Sequence, residues 1–237
     1  MDLIQKYKMK TDTRTRNRGG DKRIPVLFDK DDFEDMINAI ENCRDYPRDL
    51  YWSSWMRARD KAILAFMFET GTRPKEFCSL RFDDYRPKEN AFLIRRTNNK
   101  ENKDYMVALT DLVLNYLKEY MKFGRKNKDY IFPSHNNLSK PLSPGRWKHI
   151  MREKILKPSN HYIACKPHEM PRTRSYSFRA SFATKLLMDT HCPDVVMKRL
   201  GHSDWRSLKK YVDLSHTKKE EFDLVRESRK VSSSPVI

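Results

Sequence analysis

The chain has 237 residues, enough for one medium-sized folded domain with a real core, so length does not exclude an enzyme. Lys and Arg total 49 against 32 Asp and Glu, a formal charge of +17 on a chain that is 38% hydrophobic and 11% aromatic. That balance excludes a basic disordered tail and points to a folded protein with a polyanionic partner. The apolar run Ile63 to Phe68 is too short to span a bilayer, and the first 24 residues hold no apolar run of the kind a signal peptide needs, so a cytoplasmic location with no membrane contact is expected.

Residues 1–24 carry eight Lys/Arg against three Asp and include Gly19-Gly20, which reads as a flexible basic arm or linker. The folded part is predicted over 25–228, with 229–237 a disordered tail. Phe33, Met36, Ile37 and Ile40 recur at helical spacing behind the acidic first turn Asp31-Asp32. A central helix is predicted from Trp55 to Glu69, apolar on nearly every side and stopped by Gly71. Ala91 to Ile94 and Tyr105 to Leu109 read as the strands of a β-hairpin whose connecting segment, Arg95 to Lys103, is basic.

Thr110 can cap a helix to about Lys122, and Ser143-Pro144 opens another that contains Trp147, Ile150, Met151 and Ile155. Further helices are expected at Phe178 to Met188, Pro193 to Leu200, Asp204 to Tyr211 and Lys218 to Glu227. The fold class is therefore mainly α with a small antiparallel β-sheet. Cys43, Cys78, Cys165 and Cys192 form no CxxC pair or zinc-ligand spacing, so they are expected to be reduced, and neither a metal nor a cofactor is anticipated.

Four segments carry the chemistry. Thr70-Gly71-Thr72-Arg73-Pro74-Lys75-Glu76-Phe77 presents an arginine at a glycine turn with a carboxylate one helical turn later. The hairpin connection carries Lys100 and Lys103. Tyr176 to Thr184 holds Arg179, and Leu200-Gly201-His202-Ser203 is followed nine residues after the histidine by Tyr211.

In order and spacing these segments resemble the catalytic domain of the tyrosine recombinase, or phage integrase, family, and the likeness runs from about Phe28 to Leu214. The resemblance implies that family's catalytic-domain fold and carries the first arginine, the final histidine and the nucleophile to Arg73, His202 and Tyr211. The second arginine falls on Arg179, while Tyr176 stands where the family has histidine. Tyr176 either hydrogen-bonds phosphate through its hydroxyl in that histidine's place or is a core aromatic. Setting Met106 to Leu109 on the family's second strand puts the catalytic lysine on Lys100, with Lys103 the alternative. Family members also carry a separate helical DNA-binding domain ahead of the catalytic part, and residues 1–24 resemble the linker that follows it.

The residue types suit the reaction the resemblance implies, a strand transfer through a covalent 3′-phosphotyrosine. A phosphodiester under attack gains negative charge, so fixed cations aimed at its non-bridging oxygens favour the transition state over the ground state. Arg73 and Arg179 offer permanently charged, bidentate donors for that purpose. A free phenol has a pKa of about 10 and is a weak nucleophile at neutral pH, so Tyr211 depends on the cations around it. A hairpin lysine can protonate the leaving 5′-oxygen, and His202 can assist at the phosphate. Glu76 is expected to orient Arg73 or the helix rather than to react itself, and Asp83-Asp84 to take a solvated or capping role.

Between Ser143 and Ala180 nine Lys/Arg stand against two Glu, which marks Arg146, Lys148, Arg172 and Arg174 as candidate contacts to DNA backbone. The expected partner is double-stranded DNA, with a homotetramer on DNA and a monomer or weak oligomer alone. Two other readings share these residues: relaxation of supercoils in the manner of a type IB topoisomerase, and a non-catalytic DNA-binding regulator of the same fold.

Overall fold

The computed structural model describes residues 27–100, 102–124, 129–159 and 175–201, together with Leu208 and Tyr211. The described chain is mainly helical with one small sheet, as the patterning predicts. It divides into two compact units, one up to Phe182 and one from Ala183 onward.

Helix α1 spans Lys30–Asn42 and starts at a reciprocal cap, in which Asp29 accepts from the Asp32 N–H and Asp32 from the Asp29 N–H. Its apolar face, Phe33, Met36, Ala39 and Ile40, is buried. Helix α2 spans Leu50–Thr70 and begins five residues ahead of the predicted start, because Asp49 caps it through the Trp52 N–H. Leu50 and Tyr51 in that first turn are exposed, so no apolar periodicity announces them. From Ala62 to Met67 every side chain is buried, and Gly71 closes the helix at φ 62°, its N–H donating to Met67 O. A side chain at that left-handed position would be strained, which is why a glycine stands there.

Helix α2 also buries two charged residues, Arg59 and Asp60. Arg59 donates to Asp60 Oδ1 through Nε and Nη2 and to the Pro133 carbonyl through Nη1, while the Tyr46 hydroxyl donates to Asp60 Oδ2. Burial and the Asp60 carboxylate push the Tyr46 phenol far above its ordinary range, so it stays a hydrogen-bond donor.

Helix α3, Pro74–Cys78, leaves the Gly71 turn directly. The sheet has three antiparallel strands in the order β1-β2-β3, with β1 at Tyr85–Arg86, β2 at Ala91–Ile94 and β3 at Tyr105–Ala108. The hairpin is where the alternation predicts it, with Phe92 opposite Val107 and Ile94 opposite Tyr105. Strand β1 is an addition: two residues are too few to show a period. Asp84 just ahead of it is buried; it caps the turn through the Arg81 N–H and accepts from Arg95 Nε at 2.5 Å, so its role is capping rather than solvation.

Helix α4, Asp111–Met121, is capped by Thr110, and α5, Pro144–Ile150, by Ser143, both as predicted. Helix α5 widens into a π-helical turn over Met151–Leu156 that keeps Ile155 and Leu156 in the core. Trp147 is completely buried there, its indole N–H directed at the Met67 sulfur. Helix α6 spans Ser175–Thr190 and α7 Pro193–Leu200, the latter ending at Gly201 with φ 62°. Leu208 and Tyr211 are helical, and the rest of the helices expected over Asp204 to Tyr211 and Lys218 to Glu227 lies outside the described residues. Cys43 and Cys78 are buried free thiols and Cys192 a half-buried one; Cys165 is outside the described residues.

Candidate active site

The first arginine is positioned by purely local chemistry. Thr70 donates to Phe66 O and its hydroxyl meets that of Thr72 at 3.0 Å, which locks the turn around Gly71. Arg73 then occupies the N-cap of α3 in extended backbone, with Pro74 fixing the first helical residue. Glu76, buried to 1% exposure, accepts from the Arg73 N–H at 2.6 Å and from Arg73 Nη1 at 2.9 Å. The carboxylate thus orients the arginine, as the spacing implies, and leaves the guanidinium side chain 27% accessible.

The second arginine arrives from 108 residues away. In the first half of α6, Ser177, Phe178 and Ala180 are fully buried, and Phe178 packs on Phe28 with ring centroids 4.7 Å apart. Ser181 accepts from the Phe28 N–H, which fastens the helix to the start of the folded chain. This packing delivers Arg179, itself 3% exposed, to the Gly71 carbonyl, where Nη1 donates at 2.9 Å. The two arginines singled out by sequence therefore meet at one glycine turn.

Tyr105 of β3 is within electrostatic reach of both. Its enclosed hydroxyl faces Glu76, with Arg179 and Arg73 next in influence, and burial followed by the Glu76 charge pushes the phenol above its ordinary range. Nothing in the sequence singles out this residue, because its strand neighbours make it one more β-forming aromatic.

Lys100 and Lys103 are both exposed on the loop between β2 and β3. The loop is held at its neck by buried Asn99, whose Nδ2 donates to Arg95 O at 3.0 Å and Lys103 O at 2.7 Å, while Asp104 accepts from the Arg96 N–H at 2.5 Å. An asparagine in a turn-rich stretch is ordinarily a loop residue, so this clamp too escapes the sequence. Tyr176, in the first turn of α6, is 40% exposed, which sets aside the core-aromatic reading. Arg146 and Lys148 are exposed on α5, on either side of the buried Trp147.

In the second unit Tyr211 is fully buried, as is Leu208. His202, Arg172 and Arg174 lie outside the described residues. Among the described residues no group of His, Cys, Asp and Glu is arranged to hold a metal ion, and no helix is long and apolar enough to cross a membrane.

The fold defined by this helical body and three-stranded sheet is that of tyrosine recombinase catalytic domains. The Tn1549 transposon integrase in complex with transposon right end DNA superposes with a TM-score of 0.68 at 14% identity, over 97% of this chain and 76% of that one. XerH recombinase bound to its difH substrate gives 0.65 at 20% identity, over 89% and 56%. The model of the phage integrase family matches residues 27–218, and the chain belongs to that family.

Among curated relatives, tyrosine recombinase XerD of Yersinia pestis is 27% identical over 201 residues, 81% of this chain and 60% of that protein. Tyrosine recombinase XerA of Pyrococcus horikoshii is 25% identical over 195 residues, 82% and 59%. The chain spans about 60% of the length of these relatives.

Proposed function

We propose that residues 25–228 are the catalytic part of a site-specific DNA recombinase that cuts and rejoins strands through a covalent 3′-phosphotyrosine. The observation that carries this reading is the meeting of Arg73 and Arg179 at the Gly71 turn, around a buried carboxylate that leaves the Arg73 guanidinium partly open. Two permanently charged forks at one place are what a phosphodiester needs as charge builds on its non-bridging oxygens.

In the proposed step the Tyr211 oxygen bonds to phosphorus and the bond from phosphorus to the 5′-oxygen breaks. The phenol's proton passes to solvent water, with His202 assisting, and Lys100 gives a proton to the leaving oxygen. Lys103 takes that role if the loop register differs by three residues. Tyr176 has its ring at the surface and offers a hydroxyl to phosphate where the family has histidine. Reversal with a different 5′-hydroxyl rejoins the strand, so no energy source is required beyond the phosphotyrosine bond.

Double-stranded DNA is the proposed partner, which places the protein at the nucleoid. Relatives described as DNA-bound recombinases and the charge of +17 support this. Arg146 and Lys148, with Arg172 and Arg174, are assigned to the DNA backbone, residues 1–24 to a basic arm and 229–237 to a tail. A homotetramer on paired duplexes is the working assembly, with a monomer or weak oligomer in its absence.

The test is incubation with a nicked duplex carrying a site selected by binding enrichment. An SDS-resistant adduct that survives EDTA and is lost in Tyr211→Phe is expected, together with recombinant product from paired sites. Supercoil relaxation without recombinant product would instead indicate a topoisomerase. A salt-sensitive gel shift with no adduct would indicate a regulator.

A further inference from the structure

Tyr105 is the described residue at this site for which the roles above leave no use. It sits on β3, immediately after the loop that carries Lys100, and its ring is mostly enclosed. Its hydroxyl oxygen is sealed from solvent and has no partner at hydrogen-bond geometry among the described residues. A buried hydroxyl in that condition is costly, and native structures keep few of them. What surrounds it is specific: the Glu76 carboxylate first, then the guanidiniums of Arg179 and Arg73.

Glu76 has acceptor capacity left. Oε2 receives the Arg73 N–H and Oε1 receives Arg73 Nη1, whereas an ionised carboxylate offers about four lone-pair sites. The phenol can therefore donate to Glu76 without displacing Arg73, and its raised proton affinity keeps it a donor at any working pH. A phenylalanine would fill the same space and leave the carboxylate with one neighbour fewer to fix its plane.

We propose that Tyr105 is a positioning residue of the phosphate site, whose hydroxyl steadies the Glu76 carboxylate and, through it, the guanidinium of Arg73. This rests on the assignment of Arg73 to the scissile phosphate. In this role Tyr105 takes no part in the bond changes at phosphorus; it acts on the chemical step by keeping Arg73 pre-aligned, the arrangement in which a charged donor helps the transition state most.

The test uses the full chain with Tyr105→Phe and two readouts. The first is the Arg73 Nε–H signal in the NMR spectrum of the DNA-free protein, assigned by its disappearance in Arg73→Lys. The second is the rate of adduct formation at saturating nicked duplex, made with either the natural 5′-oxygen or a 5′-bridging sulfur at the scissile phosphate. A thiolate leaves without a proton, so sulfur relieves defects in the lysine but not in the arginines.

The expected result is unchanged DNA affinity, an Arg73 signal broadened by faster exchange, and an adduct rate lower by about tenfold, about 1.4 kcal/mol of barrier, on both substrates. A wild-type rate in Tyr105→Phe overturns the proposal, as does a defect that sulfur removes, which would place Tyr105's effect in the lysine loop. A rate loss matched by an equal loss of DNA affinity overturns it too. If the unsubstituted protein forms no adduct, the catalytic assignment of Arg73 fails by itself. The NMR signal then still decides the structural claim: broadened in Tyr105→Phe, the claim stands, and unchanged, it falls.

Discussion

Glu76→Gln isolates the proposed role of the carboxylate behind Arg73. The glutamate makes two charge-assisted bonds to Arg73, at 2.6 Å to the backbone N–H and 2.9 Å to Nη1. Glutamine keeps the shape but has a single acceptor oxygen, so one of the two bonds disappears and an amide N–H₂ is turned toward a donor. Hydrogen bonds to charged groups contribute about 1.5–3 kcal/mol, which sets the expected stability loss for Gln. Glu76→Ala removes both bonds, and the loss should reach about 3 kcal/mol, the low end for breaking a buried pair because Arg73 keeps access to water.

Urea unfolding reads this directly. With a slope of roughly 2 kcal/mol per molar for a chain of this class, Glu76→Ala should lower the midpoint by about 1.5 M at unchanged slope. Adduct formation by Glu76→Gln should slow by roughly 10-fold to 100-fold, since a guanidinium displaced by a fraction of an ångström loses much of its effect on the transition state. Wild-type midpoint and wild-type cleavage in Glu76→Gln would refute the view that this carboxylate places Arg73.

Other expectations follow from the same geometry. Asn99→Ala removes the clamp at the neck of the Lys100 loop, and should slow adduct formation about tenfold on oxygen-containing DNA yet recover on the 5′-sulfur substrate, because the lysine alone is misplaced. Replacing Arg146 and Lys148 by Ala should weaken binding to all duplex sequences and flatten the plot of log affinity against log salt by about 0.9 for each phosphate no longer neutralised, measured by fluorescence anisotropy. Trp147→Ala, which empties a fully buried site, should cost about 3–5 kcal/mol in urea unfolding, whereas Trp147→Phe should cost less.

What the sequence made legible was local or ordered along the chain. Caps at Thr110 and Ser143, the glycine stop at Gly71 and the alternation of the hairpin depend on residues within a turn of each other, so they could be read without tertiary information. Arg73 and Glu76 belong to the same kind, since a spacing of three on a short helix brings them together. Arg179 was legible through the resemblance of its surrounding segment, but its arrival at the Gly71 carbonyl depends on Phe178 and Ser181 docking on Phe28, which no local pattern contains.

The residues that escaped are those whose meaning comes from elsewhere in the chain. Asn99 and Tyr105 look like ordinary loop and strand residues until the hairpin closes, and the burial of Arg59 and Asp60 depends on partners, Tyr46 and Pro133, that lie elsewhere in the chain. Strand β1 is too short to have a pattern of its own and exists because Tyr85 pairs with Phe92.

The claim on which the rest depends is that Tyr211 becomes covalently joined to a DNA 3′-phosphate. Protease digestion of the trapped adduct followed by mass spectrometry tests it without reference to any variant. The account predicts a nucleotide 3′-phosphate on the peptide that contains Tyr211, and on no other tyrosine; a modified peptide lacking Tyr211, or a cleaved strand with a free 3′-end and no protein attached, would contradict it.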